Sequence, residues 1–251
     1  MEAAALALRD RLALDLQRWV GRLTAPVWIP VTVALMKCGV RWQIEGMEQT
    51  RRLFRQAKQA SDAPLLVCAN HLTMADSFLV SLSLASPWSL TVHYSWLPWN
   101  TPEKHRFAST WWKRMFAYLM KCIPVERGGN RQEVGRTLAR VAHLLLQRDV
   151  ALIFPEGGRS RTGRVDTEAV TYGVGRIVRQ LPGCRVLAVY LRGEGQTEYT
   201  NLPARGERFR VEAELFEPKS DHRGLRGSVD LGRQILMRLD AMERRFFDAR
   251  K

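Results

Sequence analysis

Short apolar runs alternate along this chain with segments whose apolar residues recur at helical spacing. The runs VRWQIEG (40–46), APLLVCAN (63–70), SLTVHY (89–94), CIPVE (122–126), VALIFP (150–155) and RVLAVYL (185–191) are predicted strands. Phe209, Val211, Ala213 and Leu215 alternate with polar residues, the pattern of a strand with one face in water. Helical periodicity is clearest over 131–147, where Val134, Leu138, Val141 and Leu145 share a face, and over 225–247. Asn130 followed three residues later by Glu133 reads as a helix N-terminal cap. Strands alternating with helices predict an α/β fold over 41–251, with a largely parallel sheet flanked by helices. In such sheets ligands collect beyond the carboxyl ends of the strands, so strand ends are where chemistry is expected.

Residues 1–40 follow a different pattern. Leu8, Leu12, Leu16 and Trp19 recur at helical spacing with Arg9, Arg11, Arg18 and Arg22 between them, and an uncharged run from 23 to 36 contains Pro26 and Pro30. A membrane-crossing helix needs roughly 20 apolar residues, so this shorter run predicts a segment that dips into one leaflet. Trp19, Trp28 and Trp42 would then lie near the interface and the arginines on headgroups. A helix packed on the domain's own core is the alternative. Arg9, Asp10, Arg11 and Asp15 interrupt any secretory-signal pattern, which places the expected location on the cytoplasmic side.

Composition narrows the partners. Lys and Arg number 39 against 25 Asp and Glu, a net charge of +14, and with 46% hydrophobic residues disorder is excluded. Such a charge suits nucleic acid, an anionic membrane surface, or an acidic carrier or phosphorylated substrate. The basic residues are dispersed and form no known nucleic-acid-binding signature, so no nucleic acid is expected. Cys38, Cys68, Cys122 and Cys184 are widely separated, which argues against a zinc site or a disulfide framework.

Three strand ends carry unusual residues. After PLLVCAN comes His71, with Asp76 five residues on. Five residues on an α-helix rotate about 500°, so the two would not share a helix face. They meet only if His71 sits in the turn and Asp76 in the first helical turn, where a carboxylate can hold one imidazole nitrogen and leave the other as a base. A chance His and Asp near a helix N-terminus is the plainer alternative. After VALIFP comes Glu156-Gly157-Gly158-Arg159-Ser160-Arg161. The glycines allow close backbone approach to an anion, Arg159 offers a planar donor fork, and Glu156 can accept from a hydroxyl or orient that Arg. The third strand end is Ile123-Pro124-Val125-Glu126-Arg127, before a glycine pair.

NHxxxxD, IPVxRG and FPEGxRSR in this order resemble the PlsC-type glycerolipid acyltransferases, which include 1-acylglycerol-3-phosphate acyltransferase. The resemblance runs over about 40–191. It implies His71 as catalytic base, Asp76 as its orienting partner, and Arg127, Glu156, Gly157, Gly158 and Arg159 around the acceptor. It also implies an acyl-CoA or acyl-acyl carrier protein donor, with no metal and no bound cofactor. Attachment to the cytoplasmic face of a membrane, the inner membrane in a bacterial cell, is implied as well.

The departures bear on the acceptor. Gly158 stands where the family usually has Thr, Val186-Leu187-Ala188-Val189 lacks its Pro, and two family lysines are absent near 89–99 and at Thr171-Tyr172-Gly173. An acceptor from a specialised lipid or polyketide-like alcohol pathway is therefore an alternative to a lysophospholipid. A non-catalytic basic membrane-binding protein is the reading outside enzymology. The stretch TWWKRMFAYLMK (110–121) fits core, membrane surface or acyl-chain wall equally. His93, His105, His143 and His222 lie in no motif and are expected to be structural or solvated.

Overall fold

A computed structural model describes residues 6–103, 110–126 and 130–250. The helices are α1 (Leu8–Ala34), α2 (Met47–Gln59), α3 (Asp76–Leu84), α4 (Pro87–Val92), α5 (Trp111–Leu119), α6 (Arg131–Leu146), α7 (Tyr172–Gln180) and α8 (Gly224–Asp248). The strands are β1 (Gln43–Glu45), β2 (Leu65–Ala69), β3 (Trp99–Asn100), β4 (Val150–Ile153), β5 (Arg185–Gly193) and β6 (Arg208–Phe216). They form one mostly parallel sheet in the order β1-β6-β5-β2-β4-β3, in which only the β5–β6 pair is antiparallel.

Why β2 reads as an unbroken apolar run is visible in its two faces. Leu66 and Cys68 pack under α6, α7 and α8, while Leu65, Val67 and Ala69 pack under α2, α3 and α4. A strand covered on both sides has no polar face to show. In β6, Phe209, Val211 and Ala213 are buried and the residues between them are not, which matches their alternation in the sequence.

Other expectations require correction. SLTVHY is not a strand: Ser86 Oγ accepts from Ser89 N at 3.1 Å and Pro87 opens a helix, so the segment is α4 and a following turn. Ser-Pro at that point was the available signal. CIPVE forms only isolated bridges to 100 and 103, because Pro124 has no N–H to extend a ladder. Strand β1 is shorter than VRWQIEG, since the chain up to Val40 is a π-helical turn and Arg41 takes a left-handed φ of 61°. Asn130 caps α6 as predicted, through Gln132 N at 3.0 Å.

Helix α1 runs through both prolines and continues as the π-turn Leu35–Val40, so the stretch Leu8–Val40 is long and apolar enough to cross a membrane by length and composition. Its charges explain why the uncharged run understated it. Asp10 is buried and receives Arg136 at 2.7 Å and Arg140 at 2.6 Å, and Arg18 donates to Asp149 at 2.8 Å. Arg18 thus faces the protein rather than a headgroup. One face of α1, including Leu14, Gln17, Gly21, Ala25 and Ile29, is buried on the domain. Gly21 is required there, because a Cβ would lie 2.1 Å from the Tyr94 hydroxyl. The opposite face exposes Leu8, Leu12, Leu16, Trp19, Leu23, Val27, Val31 and Leu35. Trp42 belongs to neither group: it is buried, edge-on to Phe209, and donates to Ala204 O at 2.9 Å.

Candidate active site

The chain leaves β2 at Ala69, and the next residue secures the exit. Buried Asn70 donates to Leu191 O at 2.9 Å and accepts from Leu191 N at 2.8 Å, which fastens the end of β2 to β5. The turn that follows places His71 just outside the sheet, and α3 begins at Asp76. Nδ1 of His71 lies 3.0 Å from Asp76 Oδ2. The same oxygen accepts from Leu72 N at 2.6 Å and Thr73 N at 2.7 Å, and the Thr73 hydroxyl donates to Oδ1. These donors, at the start of a helix, satisfy a carboxylate that is only 4% exposed. An ionised carboxylate accepts and never donates, so the proton sits on Nδ1 and the Nε2 lone pair is left over. Phe154 stacks on the imidazole with centroids 4.0 Å apart and fixes its plane.

The glycine-rich turn after β4 meets this loop directly, because Ser160 N donates to His71 O at 2.9 Å. Arg159 Nη1 donates to Thr200 O at 3.0 Å and Asn201 Oδ1 at 2.9 Å, and its guanidinium lies over the Tyr199 ring. Together these residues border a cavity of about 460 Å³. Its apolar wall includes Met74, Phe78, Phe116, Ala117 and Met120, and its charged lining is Arg159 and Arg161 with one carboxylate, Glu103.

The predicted site residues fall into two groups. His71, Gly158 and Arg159 line this cavity. Asp76, Glu156 and Gly157 stand behind its wall, and Arg127 lies outside the described residues, as does His105. Glu156 does not orient Arg159; its Oε2 faces Asp166 N at 3.4 Å. Gly157 has a φ of 70° and a Cβ there would meet Thr171 Cγ2 at 2.3 Å, so its glycine serves the turn and its packing. Sequence reasoning overlooked Thr73, Phe154, Arg161 and Tyr199. Phe154 and Arg161, the first and last residues of FPEGxRSR, were visible in the motif; Tyr199 carries no local signal. The α5 stretch plays two parts, with Phe116 and Ala117 on the cavity and Trp111, Trp112 and Met115 exposed. Of the remaining histidines, His93 stacks on Trp96, and His143 shares a hydrogen bond with Gln147.

A protein-family model described as Acyltransferase matches residues 41–192, which hold every part of this arrangement except Tyr199, Thr200 and Asn201. The chain belongs to the acyltransferase family. The matched region is the domain of the PlsC-type glycerolipid acyltransferases. No curated protein matches the chain. Beyond the matched range, β6 joins the sheet and α8 packs on its face.

Helix α8 also supports the site of the acyltransferase from below. Arg192, only 2% exposed, donates to Gly163 O, Gln196 O and Thr197 O and faces Glu243 at 3.5 Å. Glu243 Oε2 in turn accepts from Val165 N at 3.1 Å. One buried ion pair thereby holds the two loops that carry Arg159, Arg161 and Tyr199.

Burial raises the Glu156 carboxyl from its usual range to about 7, against the hydrogen bonds from the Asp166 and His71 backbone that lower it. A group whose folded pKa is raised contributes stability below its unfolded pKa and loses that contribution as pH rises through the folded value. Stability should therefore fall between roughly pH 4.5 and 7, by about 3 kcal/mol at 1.36 kcal/mol per pKa unit. Glu156→Gln, which cannot ionise, should flatten this slope. Denaturant unfolding of both proteins at pH 5 and pH 8 measures it, and equal slopes would refute the assignment.

Proposed function

We propose that this acyltransferase moves a fatty acyl group from acyl-CoA or acyl-acyl carrier protein to a hydroxyl of a lysophospholipid-like acceptor at a membrane surface. The observation that carries this reading is the His71 ring, tied to Asp76 through Nδ1 and bordering a cavity with an apolar wall and two arginines against a single carboxylate, Glu103. An acyl chain suits the wall of Met74, Phe78, Phe116 and Met120, and an anionic acceptor suits Arg159 and Arg161.

In this scheme His71 Nε2 takes the proton of the acceptor hydroxyl as its oxygen attacks the thioester carbonyl. A C–O bond forms, the C–S bond breaks, and the proton passes from the imidazolium to the departing thiolate. Asp76 stabilises the imidazolium without moving, because its own donors already hold it. His71 is then the general base and Asp76 the positioning residue, with Arg159 and Arg161 on the acceptor. The residues Glu156, Gly157 and Gly158 shape the turn that presents those arginines.

Membrane attachment draws support from the outer face of α1. Exposed Trp88 and Val92 of α4 and Trp111, Trp112 and Met115 of α5 extend that apolar surface, since both helices pack against α1. A contiguous apolar surface of this kind marks an interaction face. A helix that crossed a bilayer alone would meet lipid on all sides, whereas α1 keeps ion pairs to the domain on its inner face, each with its carboxylate buried. It therefore fits a helix lying in the plane of the cytoplasmic face of the inner membrane. Phe116 is both exposed and part of the cavity wall, which suits an acceptor arriving from the lipid side.

The test is incubation of the purified protein with acyl-CoA and acyl-acyl carrier protein donors and a panel of lysophospholipid and neutral alcohol acceptors, with products read by mass spectrometry. The expected result is transfer to an anionic lysophospholipid. Transfer to neutral alcohols alone would favour the specialised-lipid reading, and absence of any His71-dependent product would sink the enzymatic one.

A further inference from the structure

A second cavity, of about 550 Å³, shares no lining residue with the one beside His71. It lies where α1 ends, between the π-turn, β1 and the first turns of α2 and α4. Its apolar wall includes Val33, Met36, Ile44 and Leu82, its cations are Lys37, Arg41 and Arg51, and no acidic residue lines it. Among the described residues Lys37 and Arg41 make no ion pair. Arg51 Nη2 donates to Leu82 O at 2.8 Å, but its buried Nε has no partner. Arg41 occupies a left-handed position that glycine would fill with less strain, so a cationic side chain is kept there at a conformational cost.

An apolar groove of about 350 Å³ adjoins this cavity and shares Val33 and Pro87 with it. Pro26, Pro30 and Trp88 line it, between α1 and α4 and next to the exposed apolar stripe of α1. A three-cation pocket continuous with an apolar trough has the charge and shape of an anionic amphiphile: a phosphate at one end and an acyl chain at the other.

We infer that this composite site binds one anionic glycerophospholipid of the bilayer, with its phosphate among Lys37, Arg41 and Arg51 and an acyl chain along Val33, Pro26, Pro30 and Trp88. The site is separate from the reaction cavity, so this lipid is a ligand and not the acceptor. It pins the C-terminal end of α1 at headgroup depth and sets the orientation of the domain on the membrane. The inference rests on the membrane reading proposed above.

The experiment measures binding of the full-length protein to phosphatidylcholine vesicles with and without phosphatidylglycerol. Lys37→Ala with Arg41→Ala is compared with Arg223→Ala plus Arg226→Ala, which removes the same charge from an exposed segment remote in sequence. The first pair should weaken binding to phosphatidylglycerol vesicles about tenfold or more, and the second no more than about twofold. Circular dichroism checks that both variants fold. Equal losses in the two variants would overturn the site, because diffuse charge would then explain the attraction. Competition by inorganic phosphate at the strength of the lipid would overturn it too, since the apolar trough would contribute nothing. Failure of the wild type to bind either vesicle would remove the membrane reading itself, whereas binding that ignores Lys37 and Arg41 removes only this site.

Discussion

His71→Ala should lower the turnover of acyl transfer by about 10²–10⁴-fold, the usual contribution of a positioned general base. The loss should appear in kcat more than in KM, because the cavity walls that would hold acyl chain and acceptor stay in place. The fold should survive, since the side chain packs at a strand exit against Phe154 rather than in either core. Asp76→Asn offers a second reading of the same geometry. The Leu72 and Thr73 backbone donors keep the amide oxygen facing Nδ1, so the ring and its orientation stay while the negative charge that stabilises the imidazolium is lost. Turnover should again fall by orders of magnitude while thermal unfolding shows a folded protein. A His71→Ala enzyme that retains near-wild-type turnover would refute the mechanism outright.

The largest effect on stability is expected at Asp149. Its carboxylate is 2% exposed and receives Arg18, Trp99 Nε1 at 3.1 Å and Lys121 Nζ at 3.3 Å. Lys121 is fully buried, and burial pushes its ammonium down to about 8 although Asp149 pulls it up. Asp149→Ala would leave that ammonium without a counter-ion, held by the Tyr94 and Leu97 carbonyls and the faces of the Tyr94 and Trp99 rings. Removing one partner of a buried pair typically costs about 3–5 kcal/mol, and denaturant unfolding should show a loss of this size. The penalty should shrink as pH is raised through 8, because a neutral amine needs no counter-ion. A loss below about 1 kcal/mol at pH 7 would show that the pair is solvated, as surface pairs are. Arg18 ties α1 to this carboxylate, so the same substitution should also loosen α1, visible as faster amide exchange along its inner face.

Much of the fold was legible because burial on both faces leaves a strand no polar positions. Leu65 to Ala69 and Val150 to Ile153 are such strands, and their unbroken apolar runs marked them. The edge of the sheet was less legible. Trp99–Asn100 is too short to leave a pattern, and the 89–94 segment carried strand-like residues whose state was decided by the Ser86 cap and Pro87. In the candidate site, His71 and Asp76 stood out because the exit of a strand and the start of a helix leave a fixed number of residues to close a hydrogen bond. Glu156 was legible as a motif residue but its surroundings were not: nothing local says that it turns away from Arg159 and into a buried position.

By itself, the sequence determined the alternation of strands and helices, the turns at which polar residues cluster, and the excess of positive charge. These follow from properties of single residues and their near neighbours: periodicity of burial, turn chemistry, and a sum of charges. Tertiary structure alone decided which charges are spent inside the protein and which remain outside. Asp10 and Arg18 interrupt α1 in sequence, yet they face Arg136, Arg140 and Asp149 more than a hundred residues away, and so leave an unbroken apolar stripe on the opposite face. Likewise Lys37, Arg41 and Arg51 form a pocket only because the end of α1 closes over β1 and α2. Ion pairing and cavity formation depend on partners distant along the chain, and no local pattern encodes them.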